Sequence, residues 1–65
     1  MPNFSTEKPY VIATSNLTRK GTFYTQERAV EEVKKQTGTR HLYGMHRGDW
    51  RLLAIYIHGI RQART

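Results

Sequence analysis

The chain contains no cysteine, only two prolines and no long apolar segment. Without cysteine there can be no disulfide framework and no thiolate metal site, which are the usual supports of very small secreted domains. No stretch approaches the ~20 apolar residues of a membrane-spanning helix, and the N-terminus lacks the basic and apolar regions of a secretory signal. We therefore expect a cytoplasmic protein that needs no cofactor and does not contact a membrane.

Acidic residues are also scarce. Eleven Lys and Arg face five Asp and Glu, so the net charge is +6 and the isoelectric point is about 10.2. Residues 38–65 contain five arginines and no lysine, with Asp49 as their one acidic residue. Arginine has a planar guanidinium that suits phosphate oxygens, base edges and carboxylates. This composition favours an anionic partner.

A chain of 65 residues is too short for two independent hydrophobic cores and therefore for two domains. With 37% hydrophobic residues and seven aromatic side chains, it has enough apolar surface for one small domain. Pro2, Pro9 and the polar residues between them predict a flexible N-terminal arm over residues 1–8. The folded domain is predicted to cover residues 9–62, followed by a short basic tail at 63–65.

The local patterns predict an α+β fold. Alternating β-branched residues predict a strand at 10–15, and a turn-forming segment precedes a short strand at 22–24. Thr25 is a candidate helix N-cap, which predicts a helix over residues 26–37. Two further β-patterned runs, 40–47 and 50–61, are separated by Gly48 and Asp49 and predict a hairpin. The expected domain is an antiparallel sheet of three or four strands with one helix on one face, in the order β-β-α-β-β.

Alternation along the last two strands predicts two different faces. One face is expected to meet the helix, with Gly44 allowing close approach. It carries Leu42, Gly44, Leu53, Ile55 and Ile57, with Arg40, His46, Arg51 and Arg61 towards its ends. The other face is expected to be open and to display the rings of Tyr43, Trp50 and Tyr56. The candidate binding residues are the aromatic, cationic and histidine side chains of these strands: Arg40, His41, Tyr43, Arg47, Trp50, Arg51, Tyr56, His58 and Arg61.

Aromatic rings beside cations are typical of nucleic-acid-binding sheets, where the rings stack on bases and the cations contact phosphates. The first functional hypothesis is therefore a non-enzymatic accessory protein that binds DNA or RNA. The same residue types are enriched at protein interfaces, so the alternative is a small inhibitor or adaptor that binds a host protein of nucleic-acid machinery. Viruses and mobile elements encode such proteins, including anti-CRISPR proteins. A homodimer formed through this face is a further prediction.

Catalysis and metal binding have little sequence support. There is no cysteine nucleophile, no phosphate-binding glycine loop and no carboxylate pair outside the helix. His41 and His58 are predicted to be diagonal neighbours, but a metal site needs more ligands than these two. The sequence therefore predicts no catalytic residues and no metal site.

Residues 44–51, with the sequence GMHRGDWR and followed by Tyr56, resemble the central hairpin of the small toxin ribonucleases of bacterial toxin–antitoxin pairs. The resemblance covers about a quarter of the chain. A histidine with arginines can cleave RNA by acid and base chemistry, and the chain offers His41, His46 or His58 with Arg47 and Arg51 for this role. Those toxins are longer and place additional helices before the sheet. A toxin-like ribonuclease fragment is therefore kept as a third hypothesis.

Overall fold

A computed structural model describes residues 4–62, which form one helix and a five-stranded antiparallel sheet. The strand order in the sheet is β2-β1-β3-β4-β5. The α+β class is confirmed, but five strands in the order β-β-α-β-β-β replace the predicted three or four. Residues 1–3 and the predicted tail 63–65 lie outside the described part of the chain. The elements are β1 (Tyr10–Ala13), β2 (Arg19–Phe23), α1 (Gln26–Val33), β3 (Thr39–His46), β4 (Asp49–Ile57) and β5 (Ile60–Arg61).

The fifth strand arises because the predicted run 50–61 contains a second tight turn. His58 and Gly59 have φ angles of 49° and 79°, and Ile57 and Ile60 pair across them. Positive φ at both central residues defines the type I′ turn, which matches the twist of the strands on either side. The β3–β4 hairpin uses the same turn at Arg47 and Gly48. The predicted loop at Gly48 and Asp49 was therefore wrong by one residue.

The helix begins where the sequence predicts and ends four residues earlier. Thr25 is the N-cap, and its side-chain oxygen accepts a hydrogen bond from the Arg28 backbone N–H at 3.2 Å. After Val33 the backbone hydrogen bonds change from i→i−4 to i→i−3. Lys35 N–H donates to the Glu32 carbonyl, and Gln36 N–H donates to the Val33 carbonyl. This tighter turn ends the α-helix before residue 37.

The main core lies between α1 and the sheet, on what we call the helix side. Ala29 and Val33 of the helix are fully buried there. The helix packs mainly on β1, β2 and β3, and Ala54 and Tyr56 of β4 belong to the same core. The side chain that packs over Gly44 is that of Leu53 and not, as predicted, one of the helix. A Cβ at position 44 would lie 2.8 Å from Leu53 Cδ1. The buried sheet residues of this core are Ile12, Leu42, Ala54 and Tyr56.

A β-bulge in β4 changes which side its residues face. Tyr43 pairs with Leu52 while Leu42 pairs with Ala54, so Leu53 has no partner in β3. The extra residue shifts the alternation by one position from Ala54 onward. The predicted placement of Ile55 and Ile57 against the helix was therefore wrong. They lie on the opposite side of the sheet, which we call the far side, and Ala54 and Tyr56 take the helix side.

A second, smaller core lies on the far side. Phe4 is 5% exposed and packs with the fully buried Val11 and Ala13. Its carbonyl accepts a hydrogen bond from Arg19 Nη1 at 2.7 Å. The division of the chain into arm, domain and tail stays a prediction, but Phe4 of the proposed arm packs on the sheet.

Candidate functional site

The structure separates the three rings of the predicted aromatic face. Tyr43 and Trp50 lie on the far side, as expected. Tyr56 is 4% exposed and belongs to the core beneath the helix. The bulge at Leu53 is the cause, because it turns Tyr56 to the side opposite Trp50. Tyr56 therefore cannot stack on a ligand in this conformation, and its predicted place on an open face was wrong.

The two remaining rings are partly buried, because Phe4 packs against both. The ring centroid of Phe4 lies 5.2 Å from that of Tyr43 and 5.2 Å from that of Trp50, with an edge-to-face arrangement at Trp50. Edge-to-face pairs at this distance are favourable beyond the area they bury. Phe4 thus occupies the position that a stacked base would need.

The histidines do not form a common site. His41 lies on the far side with its Nδ1 atom buried, and this atom has no hydrogen-bond partner. His58 is in the β4–β5 turn, where its Nδ1 accepts a hydrogen bond from the Gly38 N–H at 3.1 Å. Its own backbone N–H donates to the Gly38 carbonyl at 3.0 Å. His58 therefore connects the turn to the start of β3. Within residues 4–62 no group of three His, Cys, Asp or Glu residues is placed to hold a metal ion.

Three of the predicted arginines share the helix side. Arg40 and Arg61 are both Cα partners of Tyr56, one from each neighbouring strand. Arg51 pairs with Gly44, which in turn pairs with Tyr10 of the helix-side core. We call Arg40, Arg51 and Arg61 the arginine surface. Ala54 and Tyr56 of β4 are buried in the core with the helix, whereas Arg51 and Arg61 are exposed.

The arginine surface is not neutralised by neighbouring carboxylates. Arg40 is held by Gln36 of the helix end, whose Oε1 accepts from Arg40 Nε at 2.8 Å. Arg51 and Arg61 form no ion pair within residues 4–62. Asp49 shares this side at the hairpin end, where it pairs with His46, but it forms no ion pair. The guanidinium groups of Arg51 and Arg61 are therefore free to bind anions.

The three arginines form two groups rather than one cluster. Arg40 and Arg61 flank Tyr56, whereas Arg51 lies five residues earlier on β4 and beyond the bulge. At about 3.3 Å per strand residue, the two groups are about 15 Å apart. The fourth predicted arginine, Arg47, is exposed in the β3–β4 turn and belongs to neither group.

Two further features were not predicted from the sequence. His46 and Arg51 line a cavity of about 330 Å³ next to the first turn of the helix. On the far side of β4 and β5, Ile57 and Ile60 are 39% and 67% exposed. Both features depend on the exact register of β4, which the turn at Arg47 and the bulge at Leu53 determine. The alternation pattern contains neither irregularity.

Comparison of the chain with protein families, curated proteins and solved structures found no match. No helix within residues 4–62 is long and apolar enough to cross a membrane.

Proposed function

We propose that the protein is a small, non-enzymatic nucleic-acid-binding protein whose arginine surface contacts the phosphate backbone. The observation that carries the proposal is the gathering of Arg40, Arg51 and Arg61 on one side of β3, β4 and β5 without ion-pair partners in the described chain. A cytoplasmic location stays a prediction from the sequence, as does the absence of catalysis.

Arginines without ion-pair partners are well suited to binding phosphate groups. Each phosphate that is neutralised releases condensed counterions, so affinity comes mainly from the number of cationic contacts. Arginine can place two parallel N–H bonds on phosphate oxygens, and the net charge of +6 speeds encounter with a polyanion. We expect little sequence preference, because the bases would not be read by these contacts.

The proposal is tested by titrating a labelled DNA duplex and a labelled RNA duplex at several salt concentrations. The double variant R51Q/R61Q should lower affinity at low salt by about tenfold, or ~1.4 kcal/mol, and should reduce the salt slope by about 2. The matched control is K20Q/R28Q, which removes the same charge from exposed residues of β2 and α1. The control should retain most of the affinity.

Two results would contradict the proposal. Absence of detectable binding by the wild type at low salt would remove nucleic acid as the ligand. Equal losses in R51Q/R61Q and K20Q/R28Q would mean that net charge, and not the arginine surface, is responsible.

A protein partner is the second candidate, favoured by the exposed apolar side chains of Ile57 and Ile60 on the far side. Apolar surface of this kind suits the inhibitor or adaptor hypothesis, including a second copy of the chain. A pull-down from a bacterial lysate with and without nuclease separates the two candidates. Nuclease-sensitive capture would favour the nucleic-acid proposal, whereas nuclease-resistant capture of one protein that is lost in I57S/I60S would favour the protein partner.

A further inference from the structure

The cavity next to Arg51 has apolar surface on one side. Tyr10, Gly44 and Arg51 are successive Cα partners across β1, β3 and β4, so they form one row on the helix side. Gly44, in the middle of the row, is buried. Leu53 packs over it, and Tyr10 lies beside it, since a Cβ at position 44 would be 3.4 Å from Tyr10 Cε1. Tyr10 is only half-buried, and it lines the cavity together with Gly44 and Leu53.

The opposite side of the cavity is basic. Arg51 and His46 both line it, and both are exposed. Their side chains form no hydrogen bond or ion pair within residues 4–62. Among the described residues no Asp or Glu lines the cavity, although Asp49 pairs with His46 at the hairpin end. An anionic group that enters here would therefore meet N–H donors with no competing acceptor.

The size of the cavity and the distance between its two sides suit a single nucleotide. Tyr10 and Arg51 are separated by two strand spacings, about 10 Å between their Cα atoms. One sugar joins the flat base of a nucleotide to its phosphate, so the two groups can reach opposite sides of this space. The volume of about 330 Å³ is at the small end of the range for ligand cavities. A base inside a duplex is stacked and paired, so only an unpaired nucleotide could enter.

We infer that this cavity binds one unpaired nucleotide, with its base against Tyr10 and Leu53 and its phosphate on Arg51 and His46. This inference rests on the proposed function, because Arg51 belongs to the arginine surface. It adds a preference for nucleic acids with unpaired nucleotides, as found in overhangs, loops and single strands. Contact with an aromatic ring tolerates every base, so little sequence preference is expected.

The experiment compares two labelled DNA duplexes of about 20 base pairs at low salt, each with an overhang of about four nucleotides. The overhang is normal in one probe and abasic in the other. Both probes carry the same phosphates, so a difference in affinity reports the unpaired bases. We expect the wild type to bind the normal overhang at least about fivefold more tightly.

Two variants and a control assign this preference to the cavity. Y10L removes the ring but keeps an apolar side chain, and it should reduce the preference to less than about twofold. R51Q removes a phosphate contact and should weaken binding of both probes by about threefold to tenfold. K20Q removes an exposed charge from β2 and should retain the preference and most of the affinity. Circular dichroism confirms that each variant is folded.

Each outcome decides one of the two claims. Equal binding of the two overhangs by the wild type would overturn the nucleotide inference and leave the nucleic-acid proposal intact. A preference that persists in folded Y10L would also overturn it, because the base would then bind elsewhere. Failure of both probes to bind would overturn the proposed function itself.

An NMR measurement on the wild type covers the case in which Y10L does not fold. Addition of the normal overhang probe should shift the amide resonances of Gly44 and Leu53, and the abasic probe should shift them much less. The Lys20 amide serves as the control that neither probe should shift. Equal shifts of Gly44 and Leu53 with the two probes would overturn the inference.

Discussion

At the scale of single residues, Phe4 decides whether Tyr43 and Trp50 are exposed. Its ring contacts both of them at 5.2 Å, and the hydrogen bond from Arg19 to its carbonyl fixes the backbone beside the sheet. Ser5 follows with a positive φ of 50°, so the chain turns sharply away after the ring is placed. One aromatic residue outside the predicted domain thus completes the far-side core.

We expect F4A to lose stability and to expose Trp50. Truncation of a buried phenylalanine typically costs about 3–5 kcal/mol, a large share of the stability of a domain this small. Because Trp50 is the single tryptophan, its fluorescence emission should move to longer wavelength even where the variant remains folded. Thermal unfolding and emission spectra measure the two effects.

The control for this variant is Y24A, which removes a ring that is 68% exposed and should change stability by less than about 0.5 kcal/mol. If F4A retained the stability and the emission spectrum of the wild type, Phe4 would not cover Trp50 in solution.

The sequence could not have assigned this role to Phe4. The residue stands alone among polar neighbours and belongs to no helical or strand periodicity, so nothing distinguishes it from an aromatic residue in a disordered tail. Its ring partners Tyr43 and Trp50 are distant in the chain, and they come beside it only through the pairing of β1 with β3 and of β3 with β4. The burial of Phe4 depends on strand pairing far along the chain, so the residues next to it do not predict it.

At the scale of elements, the bulge in β4 reverses which side of the sheet its even-numbered residues face. Before Leu53, even-numbered residues such as Trp50 and Leu52 face the far side. After it, Ala54 and Tyr56 face the helix side. The same irregularity places Arg61 on the helix side through its pairing with Tyr56. Arg61 therefore reaches the helix side through the bulge together with the tight turn at His58 and Gly59.

A pair of aspartate substitutions tests the facing of β4. A54D would put an unpaired carboxylate into the core beneath Ala29 and Val33, and we expect it to unfold the protein. I57D places the same group at a far-side position that is 39% exposed, where it should cost far less. Circular dichroism and urea unfolding compare them. Unfolding by I57D with tolerance of A54D would restore the uninterrupted alternation that the sequence predicts.

The elements themselves were more predictable than their register. The helix start follows from the Thr25 cap, and β1, β3 and β4 follow from β-branched and aromatic runs, because these are local effects. The strand predicted at 22–24 begins earlier, since β2 covers Arg19–Phe23 and includes residues of the predicted turn. Assigning the turn to Arg47 and Gly48 required knowing that Arg47 adopts a positive φ, which non-glycine residues rarely do. The bulge follows from the fit of Leu53 over Gly44, which local propensity does not contain.

At the scale of the whole molecule, the excess of positive charge opposes folding. The chain carries a net charge of +6, and the described residues form no ion pair that would offset repulsion among the cations. Self-repulsion at high net charge destabilises a compact state. Stability therefore depends on the two hydrophobic cores and the backbone hydrogen bonds.

Salt should then act in opposite directions on folding and on binding. Raising NaCl screens the repulsion, since the Debye length falls from about 30 Å at 0.01 M to about 8 Å at 0.15 M. We expect the free energy of unfolding to rise by up to about 1 kcal/mol over this range. Urea titrations at each salt concentration measure it, with K20Q/R28Q as a control that should respond less. A fall in stability with NaCl would mean that ion pairs stabilise the fold.

The sheet consists of two sets of strands, and the two sets are joined by the pairing of β1 with β3. β1 and β2 form a hairpin, β3, β4 and β5 form a meander, and only the pairing of β1 with β3 connects residues about thirty positions apart. Forming the β1–β3 pairing requires ordering the segment that contains β2 and the helix. We expect this pairing to be the slow step of folding and the first contact to open. All three residues of the arginine surface lie within the meander. If the β1–β2 hairpin detached, the chain would lose the Phe4 core but keep Arg40, Arg51 and Arg61 in register. Under the proposed function, a bound nucleic acid would then stay attached to the partly unfolded protein and promote refolding of the hairpin.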